Sequence, residues 1–263
     1  MNVNEKTIWV TGASSGIGKA VAVNLSRRGA RLILSARSAE RLEECRQACT
    51  DPERHVVLPL DLADTASLEK ASQRALQECG PVDILINNGG ISQRSVVVET
   101  RLEVDRRIME VNFFGAVTLT KLVLPSMLSR KSGHIVVNSS VIGKFGTPFR
   151  SAYAASKHAL HGFFESLRAE LWGEGIRVTM ICPGFVRTNI SVNALKGDGS
   201  TLGSMDAALS AGMDPEICAE KIVRAVEAER NEVYIGGKEK IGVYLQRFVP
   251  DLFALIIRKT KVR

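Results

Sequence analysis

Residues 11–18 read Thr11-Gly12-Ala13-Ser14-Ser15-Gly16-Ile17-Gly18, between the apolar run Thr7–Val10 and a helical pattern over Gly16–Arg28. Strand, glycine turn and helix in that order open a βαβ unit. Gly12 permits the tight turn out of the strand, Gly16 lets backbone approach a pyrophosphate, and Gly18 lets helix and sheet pack closely. The free N–H groups and positive dipole end of the helix favour phosphate. Ser14, Ser15 and Ile17 therefore join the glycines as candidate contacts. The spacing is GxxxGxG rather than GxGxxG.

Outward from this loop, apolar runs alternate with helical stretches. Strands are predicted at Thr7–Val10, Arg31–Ser35, His55–Leu58, Ile84–Asn87, His134–Ser139, Arg177–Cys182 and Glu232–Ile235. Helices are predicted near Gly16–Arg28, Ala39–Cys49, Ala66–Cys79, Glu103–Ser129, Ser151–Trp172 and Asp214–Glu227, the last with Asp214 as N-cap before Pro215. Most of the strands lack polar alternation, as strands do when both sheet faces are covered. The pattern predicts an α/β fold, a Rossmann-like, doubly wound parallel sheet of about seven strands in a single domain. That domain spans residues 1–237, and a basic, apolar tail covers 238–263. Residues 187–213, rich in Gly and Ser, are too long for an ordinary connection and are read as a lid. Its Ile190, Val192, Leu195, Leu202, Met205 and Leu209 are candidates to line a lipophilic pocket.

The end of the second predicted strand bears on the cofactor. An acid there would accept the ribose 2′-hydroxyl of NAD. This chain has Ser35-Ala36-Arg37-Ser38. Arg37 offers a planar fork for a 2′-phosphate, so NADP(H) is expected ahead of NAD(H).

Tyr153 and Lys157 stand four apart, on one face of a helix. A carbonyl that accepts a hydride must also accept a proton, and free tyrosine, with a pKa of about 10, exchanges protons poorly at neutral pH. A nearby cation favours the phenolate, and Lys157 is the candidate. Ser140, after HIVVNS, would polarise the substrate oxygen. Asn112 would hold a water or backbone group linking Lys157 to solvent.

With these motifs in this order, the chain resembles the short-chain dehydrogenase/reductase family, from about Thr7 to Ile235. The resemblance implies a catalytic tetrad of Asn112, Ser140, Tyr153 and Lys157. Ser139 is off the family spacing by one. It implies that Asp61-Leu62 meets the adenine and that Asn88 and Gly89, in Asn87-Asn88-Gly89-Gly90, match the family's NNAG segment with Gly for Ala. It further implies that Tyr153 and Lys157 also touch the cofactor and that Pro183, Gly184, Val186 and Thr188 close over the nicotinamide. The sheet order 3-2-1-4-5-6-7 and a homodimer or homotetramer built through the two long central helices follow from the same resemblance. More narrowly, LSARS, NNGGISQRSVVVET and the tail resemble the reductases near 11β-hydroxysteroid dehydrogenase and the member 7/7B group, which act on lipophilic carbonyls.

Composition narrows the classes. The net charge is +7 over 263 residues, but residues 238–263 hold seven cations against two acids, which leaves +2 for the rest. That disfavours a nucleic-acid face on the main domain. Cys45, Cys49, Cys79, Cys182 and Cys218 form no CxxC motif and are read as reduced packing residues, with no metal ligand set. Met1 to Lys6 is polar, and no uninterrupted apolar run reaches the ~18 residues of a membrane span, so a cytoplasmic location is expected. The tail, with Tyr244, Leu245, Phe248, Val249, Leu252, Phe253, Leu255, Ile256 and Ile257 broken by Pro250, is expected to meet a membrane interface or a neighbouring subunit. The expected function is NADP(H)-dependent carbonyl reduction or alcohol oxidation on a lipophilic substrate. The alternatives are a 3-oxoacyl reductase of fatty-acid synthesis and a non-catalytic NADP-binding regulator.

Overall fold

In the computed structural model, which describes residues 1–259, seven strands form one parallel sheet. They are β1 (Thr7–Thr11), β2 (Arg31–Ser35), β3 (Val56–Val57), β4 (Ile84–Asn87), β5 (Gly133–Asn138), β6 (Ile176–Pro183) and β7 (Glu232–Ile235). Their order is β3-β2-β1-β4-β5-β6-β7. The order reverses between β1 and β4, which pair directly, and a crevice opens at their carboxyl ends.

Alternate side chains of each central strand serve two cores. Ile8 and Val10 of β1, with Leu32 and Leu34 of β2, face α1 (Gly16–Arg27) and α8 (Pro215–Glu227). Trp9 and Ile33, the residues between them, face the opposite layer. That layer contains α3 (Thr65–Cys79), α5 (Gly115–Ser129) and α6 (Ser151–Glu170). Both faces are covered, which is why the strands read as unbroken apolar runs. The shorter helix α2 (Ala39–Gln47) flanks β2 and β3, with Ser38 accepting from Arg41 N–H as its N-cap. Asp214 caps α8 by accepting from Glu216 N–H, with Pro215 in the first turn, as the sequence suggests.

Three elements depart from the sequence expectation. The strand expected at His55–Leu58 contracts to two residues, although Leu58 N–H and Leu60 N–H still bond to the carbonyls of Leu34 and Ala36. The long helix expected at Glu103–Ser129 divides into α4 (Leu102–Met109), a π-helical turn at Glu110–Phe114, and α5. Apolar periodicity runs on through such a turn, so the sequence carries no mark of it. The stretch Leu102–Ser129 is long and apolar enough to cross a bilayer, yet half of its most apolar window is buried within the protein. The third departure is the tail, where Lys240–Phe248 and Pro250–Lys259 are helices α9 and α10. Pro250 stands at the first position of α10, where its missing N–H costs no helical bond. Lys261 and Arg263 lie outside the described residues.

Residues 187–213 include one short helix, α7 (Ala207–Ser210), and are otherwise irregular. Arg187 N–H bonds to Met213 O at the base of the excursion. Farther out, Asp206 Oδ2 accepts from Arg94 Nε at 2.7 Å and Arg150 Nη2 at 3.1 Å, with all three side chains buried.

Candidate active site

The crevice at β1 and β4 holds two joined cavities. The larger, about 910 Å³, is lined by Gly12, Ser14, Ser15, Gly16, Ile17 and Gly18 together with Arg37, Asp61, Leu62, Asn88 and Gly89. Gly12 has φ +67° and Gly16 φ +53°, in the left-handed region that favours glycine. A Cβ at Gly12 would lie 2.8 Å from Gly89 Cα, and one at Gly18 would collide with the Gly12 carbonyl. No side chain caps the α1 N-terminus at Ser15, so its first N–H groups face the cleft free. A glycine cradle on an uncapped helix start, with cationic Arg37 at the far end, suits the phosphates of a dinucleotide. Arg41 lines the same wall. The sequence reading missed it, although it stands four residues beyond Arg37.

Asp61 lines this cavity with its Oδ1 accepting from Ala63 N–H at 3.0 Å and its Oδ2 3.5 Å from Arg107 Nη2. Asn88 ties the two halves of the cleft, donating to Thr11 O and accepting from Asn138 Nδ2.

The second cavity, about 430 Å³, is mostly apolar. It meets the first along Ile17, Asn88, Gly90, Asn138, Thr188 and Ile190. Ser140, Tyr153, Lys157, Pro183, Gly184 and Val186 line it, beside Thr188 at the junction. Ser140 lies beside Tyr153 on the chamber wall and helps to hold its phenol down against the rise from burial. Ser140 Oγ also donates to Pro183 O at 3.2 Å and accepts from Ile142 N–H. Ser139 Oγ turns the other way, donating to Lys157 O, so Ser140 is the serine that faces Tyr153.

Lys157 and Asn112 are placed as follows. Lys157 Nζ donates to Asn138 O at 2.8 Å and stands 5.7 Å from the Tyr153 ring centroid. Burial pushes the Tyr153 phenol up, and the groups that oppose this are Arg150, Ser140 and Arg94. Lys157 Nζ remains over the Tyr153 ring while it bonds Asn138 O, and the charges of Arg150 and Arg94 also oppose the rise. Burial itself lowers Lys157 to about 8. Asn112 lines neither cavity. From the π-helical turn it accepts from Ile91 N–H at 2.8 Å and donates to Ile91 O and Ser156 Oγ. It fixes the loop after β4 against α6 and makes no bond to Lys157.

A sequence profile described as "short chain dehydrogenase" matches residues 6–198. The chain belongs to the short-chain dehydrogenase/reductase family. It is 44% identical over 264 residues to the "Dehydrogenase/reductase SDR family protein 7-like" of Drosophila melanogaster, covering 98% of this chain and 81% of that one. A crystal structure of a short-chain dehydrogenase from Streptomyces avermitilis superposes with TM-score 0.84 at 30% identity, covering 99% of this chain and 100% of the other. An alcohol dehydrogenase from Thermococcus sibiricus, complexed with 5-hydroxy-NADP, gives TM-score 0.76 at 26% identity over 89% of this chain and 97% of that one. The sheet order is the one implied by the resemblance to short-chain dehydrogenases/reductases.

Around this family framework stand residues that sequence reasoning missed. Arg150 and Arg94 line the apolar cavity and are held by Asp206. Arg150 precedes Tyr153 by three residues, a helical spacing that signals a shared face. Glu239 accepts from Phe185 N–H and Gly237 N–H, anchoring the backbone beside Gly184, and had no motif to mark it. The tail contributes Ile241, Leu245, Phe253, Ile256 and Ile257 to the cavity wall. Phe253 packs edge-on against Phe145 at 5.1 Å. Of the apolar residues singled out between 187 and 213, Ile190 and Leu209 line this chamber, Leu195 lines the larger cleft, and Val192, Leu202 and Met205 line neither.

Proposed function

We propose that this protein is an NADP(H)-dependent carbonyl reductase or alcohol dehydrogenase acting on a lipophilic ketone, aldehyde or alcohol. The observation that carries the proposal is Tyr153, buried beside Ser140 where a polar cleft fitted to a dinucleotide meets an apolar chamber. Gly12, Ser14, Ser15, Gly16, Ile17 and Gly18 would hold the pyrophosphate, Asp61 and Leu62 the adenine end, and Arg37 with Arg41 the 2′-phosphate. Asn88, Gly89, Pro183, Gly184, Val186 and Thr188 would frame the nicotinamide, whose C4 supplies or accepts the hydride.

In reduction, Ser140 and Tyr153 donate hydrogen bonds to the substrate oxygen. Tyr153 then passes its proton to that oxygen as negative charge develops there. The phenolate left behind is stabilised by Arg150 and Arg94, and by Lys157 once that ammonium also bonds the ribose. Oxidation runs the same steps backward, with Tyr153 as the base. Asn112 serves by holding Ile91 and α6 in register. A catalytically silent regulator would not need this preserved acid–base set.

NADPH oxidation with a panel of apolar ketones, aldehydes and 3-oxoacyl thioesters tests the reading. Turnover of apolar carbonyls with NADPH is expected. Preference for acyl thioesters would favour the fatty-acid reductase alternative, and no turnover of any member would remove the assignment. The exposed apolar face of α9 and α10, with Tyr244, Phe248, Leu252 and Leu255, supports a peripheral contact with an anionic membrane from the cytoplasmic side. A homo-oligomer through the two long helical stretches is part of the same proposal.

A further inference from the structure

Behind the catalytic face, three metal-ligating side chains from three elements converge. His161 Nε2 on α6 lies 3.6 Å from Cys182 Sγ on β6, and that sulfur lies 3.7 Å from Glu232 Oε1 on β7. The three donor atoms all fall within 4.8 Å of one another. A tetrahedral zinc ion, with nitrogen and oxygen at about 2.0–2.2 Å and sulfur at about 2.3 Å, separates its ligands by roughly 3.3–3.7 Å. Two measured edges already match. None of the three residues lines either cavity, so the cluster is outside the site described above.

The surroundings match a metal site in two further ways. Glu165 Oε1 lies 3.0 Å from His161 Nδ1, an outer carboxylate that fixes the ring with Nε2 turned to the cluster. Lys144 Nζ stands 2.9 Å from Glu232 Oε1 and 3.4 Å from Glu165 Oε1. Two carboxylates against one ammonium leave the group with one negative charge in excess. Burial, with Glu232 beside it, holds the Cys182 thiol protonated in the metal-free protein.

We propose that His161, Cys182 and Glu232 form a zinc-binding site, oriented by Glu165, whose cation position is held in the metal-free protein by the Lys144 ammonium. Zinc takes His161 Nε2, the Glu232 carboxylate and the Cys182 thiolate, with water as fourth ligand. The thiol proton leaves to solvent, and the cluster becomes neutral. Lys144 withdraws to Glu165. Cys182 is fully buried whereas the Glu232 and Lys144 side chains are partly exposed, so the ion enters from the β7 edge. His161 lies one helical turn beyond Lys157, and Cys182 directly precedes Pro183, whose carbonyl Ser140 engages. Metal binding thereby ties the catalytic helix to the end of β6 and modulates turnover from outside the substrate chamber.

Cobalt titration of the full chain tests the proposal, because a Cys182 thiolate ligand gives a thiolate-to-cobalt charge-transfer band. The band is expected, with release of one proton and displacement by zinc. Cys182→Ser should remove the band. Glu165→Gln should weaken zinc about 10- to 100-fold. Lys144→Met should tighten it severalfold, an outcome that a damaged fold cannot produce. Absence of the band in the unmodified protein, its survival in Cys182→Ser, or weaker zinc binding in Lys144→Met would each overturn the site.

Discussion

The two joined cavities are built by opposite means. The cofactor cleft is made of backbone: glycines at positive φ, an uncapped helix start and loop ends that follow consecutive strands. Its residues come largely from contiguous runs. The apolar chamber is made of side chains drawn from β5, β6, α6, residues 187–213 and the tail helices, several of them more than a hundred residues apart. A cleft of backbone can be read from a motif and suits a cofactor shared by many enzymes. A chamber of side chains can be reshaped by substitutions that leave the sheet untouched.

The largest test of this contrast falls where the cavities meet. Tyr153→Phe removes the exchangeable proton and no backbone. It should lower kcat by about 10²–10⁴-fold while leaving the NADPH dissociation constant unchanged. Steady-state rates with fluorescence titration of NADPH check both, and retained turnover would break the assignment.

A second test addresses the chamber alone. Asp206→Ala leaves Arg94 and Arg150 buried without their counter-charge, and removing one partner of a buried pair costs about 3–5 kcal/mol. Thermal or urea unfolding should register a loss of that order. Hydrogen exchange should quicken over residues 187–213 far more than over β1 and α1. Unchanged exchange in the lid would mean that the clamp does not hold it.

The cleft has its own test. Arg37→Ala should weaken NADPH about 10- to 100-fold without improving NADH, the worth of a charge-assisted hydrogen bond. Ala36→Asp should move the preference toward NADH. An unaltered NADPH-to-NADH ratio in Arg37→Ala would place the 2′-phosphate elsewhere, with Arg41 the next candidate.

The smallest effect is a pH limb. Burial depresses Lys157 to about 8, so the lysine is charged below that pH and neutral above it. The kcat/KM for reduction, which reports the free enzyme, should fall as pH rises through about 8. The limb should vanish in Lys157→Met. Its persistence there would assign the titration to another group.

The loop at residues 11–18 and the apolar strands made a parallel sheet with covered faces legible from sequence, while the order of its strands came from the family resemblance. Loop and strands are each a local pattern: glycine permits backbone that other residues resist, and periodicity shows which faces are buried. Spacing already favoured Ser140 over Ser139, and the tertiary structure supplies the reason: the two carbonyls that capture their hydroxyls lie on different elements. It decided that Asn112 sits in a π-helical turn and grips Ile91, and that Lys157 bonds Asn138 O while Asp206 holds Arg94 and Arg150 at the chamber wall. It also turned the tail helices inward onto the chamber. The placements of Asn112, Lys157, the arginines and the tail have no local signature, since each depends on which distant atoms share a few ångströms after the chain has packed.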